Sequence, residues 1–162
     1  MDASGMDKVQ FLMSANVGEA LKPIQKVASG GELARIMLAL KNVLAEDDGI
    51  GSLVFDEVDT GVSGRAAQRV AEKMADVVLH KQVLCVTHLP QIAAMADAHF
   101  SVEKGERNGR TYTRVERLDQ NGREEELSRL IGGAQVSESL RRSAAELLSC
   151  AQEYRSARKT KK

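Results

Sequence analysis

The chain has 162 residues, 43% of them hydrophobic, which is enough for one domain with an apolar core and too few to expect two. Lys plus Arg and Asp plus Glu each number 23, which excludes the one-signed charge that would by itself mark a nucleic-acid or acidic-membrane binder. Two cysteines, Cys85 and Cys150, exclude a disulfide framework and fit a reducing cytoplasm.

In chain order, the start "MDASGMDKVQ" lacks a basic stretch followed by an apolar core, and no run reaches the ~18 apolar residues of a membrane span, so a soluble, unexported protein is expected. "KVQFLM" (8–13) reads as a short strand, followed by a loop with Gly and Pro that runs through Pro23. A helix beginning after Ser29 carries Leu33, Ile36, Met37, Leu40, Val43 and Leu44 on one apolar face. "EDDGIG" (46–51) breaks it. "SLVFD" (52–56) is apolar without alternation, the pattern of a strand covered on both faces in a parallel sheet. A helix over 63–80, with Ala67, Val70, Met74, Val77 and Val78 at helical spacing, leads to a second such strand, "QVLCVT" (82–87), completing a β-α-β unit.

After Pro90 a short helix is expected, then two strands, "HFSVEK" and 111–118, joined by a turn at 105–109 and placed antiparallel at an edge. Helices over 123–132 and 137–150 close the domain, the latter with Ser137 as N-cap. The division is 1–154 as one folded unit and the basic run 155–162 as a flexible tail.

Three stretches carry chemistry. Ser29 and Glu32 stand as S-x-x-E, a capping box, which accounts for those two residues but not for Gly30 and Gly31. Glycines in a first helical turn could leave free N–H groups open to an external anion, or could be ordinary loop residues; both readings stand at this point. Asp56 and Glu57 lie at the carboxyl end of a strand, where open α/β sheets bind ligands. Adjacent carboxylates repel unless a cation joins them, so Asp56 suits Mg²⁺ and Glu57 suits a water-activating base, with Asp59 placed to reach across an interface. His88 leaves the next strand at the same edge and could hydrogen-bond a terminal phosphate. "Cys85-Val-Thr-His88" has a zinc-compatible spacing but no second ligand pair, so a buried thiol is expected. No G-x-x-x-x-G-K-[ST] occurs, so these residues are not expected to hold ATP unaided.

The set "SGGE", "LVFDE", "VDTG" and "TH", in this order, resembles the C-terminal half of an ABC-type ATPase head of the SMC-related kind. The resemblance runs from about Val9 to Leu148, with Ala34 where such heads usually have Ser. It implies an α/β lobe with a mostly parallel sheet, flanking helices and an edge hairpin, without the P-loop half. It implies ATP and Mg²⁺ as cofactors, sandwiched between two heads. Ser29, Gly30, Gly31, Glu32 and Asp59 would meet the nucleotide in trans, Asp56 the metal, Glu57 the attacking water and His88 the γ-phosphate. It further implies a P-loop-containing N-terminal half, a second head and DNA as partners, no membrane, DNA repair and recombination as function, and a bacterial cytoplasmic, nucleoid-associated location. Two other readings are a non-catalytic dimerisation module and the nucleotide-binding subunit of another ABC-type ATPase.

Overall fold

The elements in chain order are β1 (Leu12–Met13), β2 (Lys22–Pro23), a 3₁₀ turn (Ile24–Lys26), α1 (Gly30–Val43), β3 (Ser52–Phe55), α2 (Gly64–Val78), β4 (Gln82–Cys85), α3 (Pro90–Ala94), β5 (Phe100–Arg107), β6 (Arg110–Arg117), α4 (Gln120–Gly132) and α5 (Glu138–Lys159). This computed structural model describes all residues except 1–4, 8, 15–16, 45–48, 108, 134 and 161–162, and leaves out the side chain of Arg107. The expected strand over 8–13 is realised at Leu12–Met13, and the first half of the "EDDGIG" break, 46–48, lies outside the described residues.

The β-α-β unit forms as the periodicity demands. β3 and β4 pair in parallel, Ser52 opposite Gln82 through Phe55 opposite Cys85, so both strands release the chain at one edge. Helix α2 crosses between them with Ala67, Val70, Ala71, Met74, Ala75 and Val77 buried, the stripe that the 3.6-residue period marks out.

The expectation of one mostly parallel sheet is not met among the described residues, which form three separate two-stranded sheets, one parallel and two antiparallel. Nor are β3 and β4 covered on both faces. Val54 is 72% exposed and Val86 64%, and Leu84 is exposed beside them, because helices pack on one side of the pair only. α1 behaves likewise: Leu38 and Gly31 are buried, while Leu33, Met37, Leu40, Val43 and Leu44 remain exposed.

The core lies instead among α2, α3, α4 and α5, where Val77, Ile92, Leu127, Ala144, Leu148 and Ala151 join Phe55 and Val58 from β3 and the turn after it. α4 starts at Asp119, whose carboxylate accepts from Gly122 N at 2.8 Å, and α5 starts at Ser137, whose hydroxyl accepts from Leu140 N. The β5–β6 hairpin is antiparallel as expected, but β5 continues through Gly105. The Tyr112 ring occupies the space that a Cβ at Gly105 would need, so glycine there serves cross-strand packing and the turn falls at Gly109, with φ +70°.

The basic run is not a flexible tail through Lys159. α5 continues to that residue because its cations have partners in the fold: Arg155 Nη1 donates to Ala96 O (2.7 Å) and to Asp97 (3.2 Å), and Arg158 Nε lies 3.0 Å from Asp76. Arg123 of α4 adds a bond to Ala96 O at 2.8 Å, so two guanidiniums cap the free carbonyls that end α3. Among the described residues, no helix is long and apolar enough to cross a membrane.

Candidate functional site

Helix α1 opens with the full capping box. Ser29 Oγ accepts from Glu32 N at 3.3 Å, and Glu32 Oε2 accepts from both Ser29 N and Ser29 Oγ at 2.8 Å. Those Ser29 bonds, backbone first, hold the Glu32 carboxyl below its ordinary range against the opposing effect of burial.

The two glycines have a local reason that spacing alone could not reveal. A Cβ on Gly31 would stand 2.8 Å from Thr60 O and 3.0 Å from Glu57 O, so the backbone of the 57–60 turn rests directly on the helix start. A Cβ on Gly30 would stand 2.7 Å from Glu57 Oε2, so that carboxylate lies over the first turn. The sparse side chains therefore admit the protein's own turn, and they do not by themselves argue for a foreign anion.

The turn is held tightly. Glu57 has φ +57°, a left-handed conformation that costs a non-glycine residue about 1–2 kcal/mol. Asp56 Oδ1 accepts from Glu57 N at 2.9 Å, and Thr60 N donates to Glu57 O at 3.0 Å. From α1, Arg35 Nη1 donates to Thr60 O at 2.8 Å and to Val58 O at 3.3 Å, while the Val58 side chain is fully buried. Arg35 is the site residue that reading the sequence missed. Its place one turn beyond Glu32 on the helix was visible, but the carbonyls it meets are more than twenty residues away.

Asp59 departs from expectation. Its side chain does not reach outward across an interface. It is 3% exposed and turned inward, where Oδ2 accepts from Thr87 Oγ1 (2.6 Å) and His88 N (2.9 Å) and lies 3.0 Å from His88 Nδ1. Burial pushes its carboxyl up, but the bonds from Thr87 and His88 and the nearby ring outweigh that and leave it below its ordinary value. The His88 side chain is 73% exposed. Cys85, partly buried, has its thiol pushed up to about 12 by burial and then by Asp59 and Asp56.

The expected residues thus form one contiguous patch. Gly30 and Gly31 touch Glu57 and Thr60, Asp56 caps Glu57, and Asp59 ties the same turn to Thr87 and His88. Among the described residues there is no cluster of three or more His, Cys, Asp or Glu able to cage a metal ion. A single exposed carboxylate, Asp56, does fit a Mg²⁺ ligated largely by phosphate oxygens and water. The groove of about 260 Å³ between α1 and β3, lined by Met37, Leu53, Val54 and Phe55 and ending at Asp56, is largely apolar.

No protein-family model matches the chain. The chain is similar to the DNA repair protein RecN of Bacillus subtilis, at 52% identity over 144 residues, covering 89% of this chain and 25% of that protein. The RecN proteins of Halalkalibacterium halodurans (50% over 148 residues) and Vibrio cholerae (47% over 144 residues) cover 91% and 89% of the chain and 26% of their own length. A solved structure titled "Structural biochemistry of ATP-driven dimerization and DNA stimulated activation of SMC ATPases" is similar at 25% identity and TM-score 0.46, over 65% of this chain and 62% of that one. The chain spans about a quarter of the length of the relatives it matches. It is a segment of the RecN family of DNA-repair proteins, as identities of 40–52% across about nine-tenths of its residues establish.

Proposed function

We propose that this chain is the C-terminal half of the ATPase head of a RecN-like protein, serving DNA double-strand break repair and recombination in the bacterial cytoplasm, at the nucleoid. Its partners are the P-loop-containing half of the same protein, a second head related to the first as a dimer, and DNA. The observation that carries this reading is the convergence of the Ser29 helix start, the Asp56–Glu57 pair and His88 on one edge of the parallel β3–β4 unit.

Each residue then has a task set by its chemistry. Asp56 supplies a carboxylate to Mg²⁺, which neutralises phosphate charge when bound. Glu57 accepts a proton from the attacking water. His88 hydrogen-bonds the γ-phosphate of the nucleotide held by its own head. Ser29, Gly30, Gly31 and Glu32 form the surface that meets the triphosphate held by the second head, and Asp59 supports the turn between these surfaces. Because the Glu57 carboxylate lies over Gly30, seating a neighbour's phosphate at the helix start requires that side chain to swing off it. That movement frees Glu57 for its own water.

The test is ATP turnover by the full-length protein. Glu57→Gln is expected to cut kcat at least ~100-fold while sparing ATP binding, because it removes the base and keeps the volume. The 162-residue chain alone is expected to show no turnover, since its sequence has no P-loop motif. Turnover by the isolated chain, or a Glu57→Gln protein with the wild-type rate, would overturn the reading.

A further inference from the structure

We infer that Asp59 is a positioning residue for His88: its buried carboxylate fixes the ring so that Nδ1 carries the proton and Nε2 is presented outward toward the anion. The inference rests on the role proposed above for His88.

The geometry is specific. A carboxylate can only accept, so with Asp59 Oδ2 3.0 Å from His88 Nδ1 the tautomer protonated on Nδ1 is favoured, because a bare Nδ1 would set lone pair against lone pair. The same oxygen takes His88 N at 2.9 Å and Thr87 Oγ1 at 2.6 Å, while Thr87 Oγ1 in turn accepts from Leu89 N at 3.1 Å. The His88 backbone is therefore tied to one buried carboxylate oxygen, and its ring lies against that same oxygen although most of the ring surface is exposed. Asp59 is itself placed by its turn, where Val62 N donates to Asp59 O at 3.3 Å and Val58, its neighbour, is fully buried.

The chemical consequence concerns Nε2. In the neutral ring it is a bare acceptor able to take a proton or a donor hydrogen. In the protonated ring it donates to a phosphate oxygen while Nδ1–H stays on Asp59. With the opposite tautomer a bare Nδ1 faces the Asp59 carboxylate and is repelled by it. Partners of this kind, one step behind the group that meets the ligand, cost about 10–100-fold when removed from metal-binding histidines, and the same orienting logic applies here.

The experiment uses the full-length protein labelled with ¹⁵N-histidine, with His88→Gln assigning the His88 signals among the histidines. At a pH where the ring is neutral, the ¹⁵N shifts of His88 are expected to report a protonated Nδ1 and a bare Nε2. Asp59→Ala, which removes the acceptor that faces Nδ1, is expected to let the proton move to Nε2. The same variant should lower kcat about 10–100-fold with KM for ATP within about twofold of wild type. A native His88 with its proton on Nε2 overturns the inference whether or not the variant folds. A wild-type rate in His88→Gln overturns the nucleotide role of His88 and, with it, the catalytic purpose of Asp59. A rate lost in His88→Gln beside an unchanged tautomer and rate in Asp59→Ala overturns the role of Asp59 alone.

Discussion

Gly30 and Gly31 are neighbours with opposite tolerances. At Gly31 an added methyl meets the backbone carbonyls of Thr60 and Glu57, which cannot move without displacing the turn, so Gly31→Ala should destabilise by about 1–3 kcal/mol in denaturant unfolding. At Gly30 the methyl meets only the end of the flexible Glu57 side chain, so Gly30→Ala should change stability by less than about 0.5 kcal/mol. Equal costs at the two positions would contradict the packing described. The cysteines differ in the same way. Cys85, with its thiol pushed up to about 12, holds almost no thiolate near neutrality, whereas Cys150 is exposed. Iodoacetamide at pH 8 followed by peptide mass spectrometry is expected to label Cys150 well before Cys85. Identities and spacings made Ser29, Glu32, Asp56, Glu57 and His88 legible in the sequence. The inward turn of Asp59 was not, because it depends on Thr87 and His88 arriving beside it from another strand.

At the scale of elements, the β-α-β unit and its helix were readable because α2 carries an apolar stripe of one period and both strands are uninterrupted apolar runs. The ends of elements were less readable, since they depend on distant partners. α5 outruns its apolar pattern because Arg155 and Arg158 find Asp97, Ala96 O and Asp76, contacts spanning 58 to 82 residues of sequence. Removal of residues 155–162 is therefore expected to lower Tm by roughly 4 °C or more, where a solvated tail would leave it unchanged. The Asp59 link between the turn and β4 also gives a pH signature. Its folded carboxyl lies below the ordinary value, so its stabilisation is present above about pH 4 and fades as pH falls through the folded value. Wild type and Asp59→Asn compared by urea unfolding should differ most near neutrality and converge in acid. A gap that is constant across pH would contradict this.

Across the whole molecule, the apolar residues divide into two sets. Those of α2 to α5 make a core within the chain, while Val54, Leu84 and Val86 on the strand pair and Leu33, Met37 and Leu40 on α1 stand exposed. Their hydrophobic pattern was visible in the sequence, but where the covering surface lies was not, since periodicity marks a buried face without naming what buries it. With the chain spanning a quarter of its relatives, the remainder of a RecN-like protein is the proposed cover. The central proposal is that the Ser29 helix start of one head and Glu57 of the other act on one nucleotide. Two full-length proteins, one carrying Ser29→Arg and one carrying Glu57→Gln, test it when mixed. Each alone is expected to be nearly inactive. Random exchange into mixed pairs restores one intact composite site per heterodimer, so about a quarter of the wild-type ATPase rate should return if the two sites work independently. Heterodimers that form without any recovered hydrolysis, or a Ser29→Arg protein that is fully active alone, would contradict the proposal.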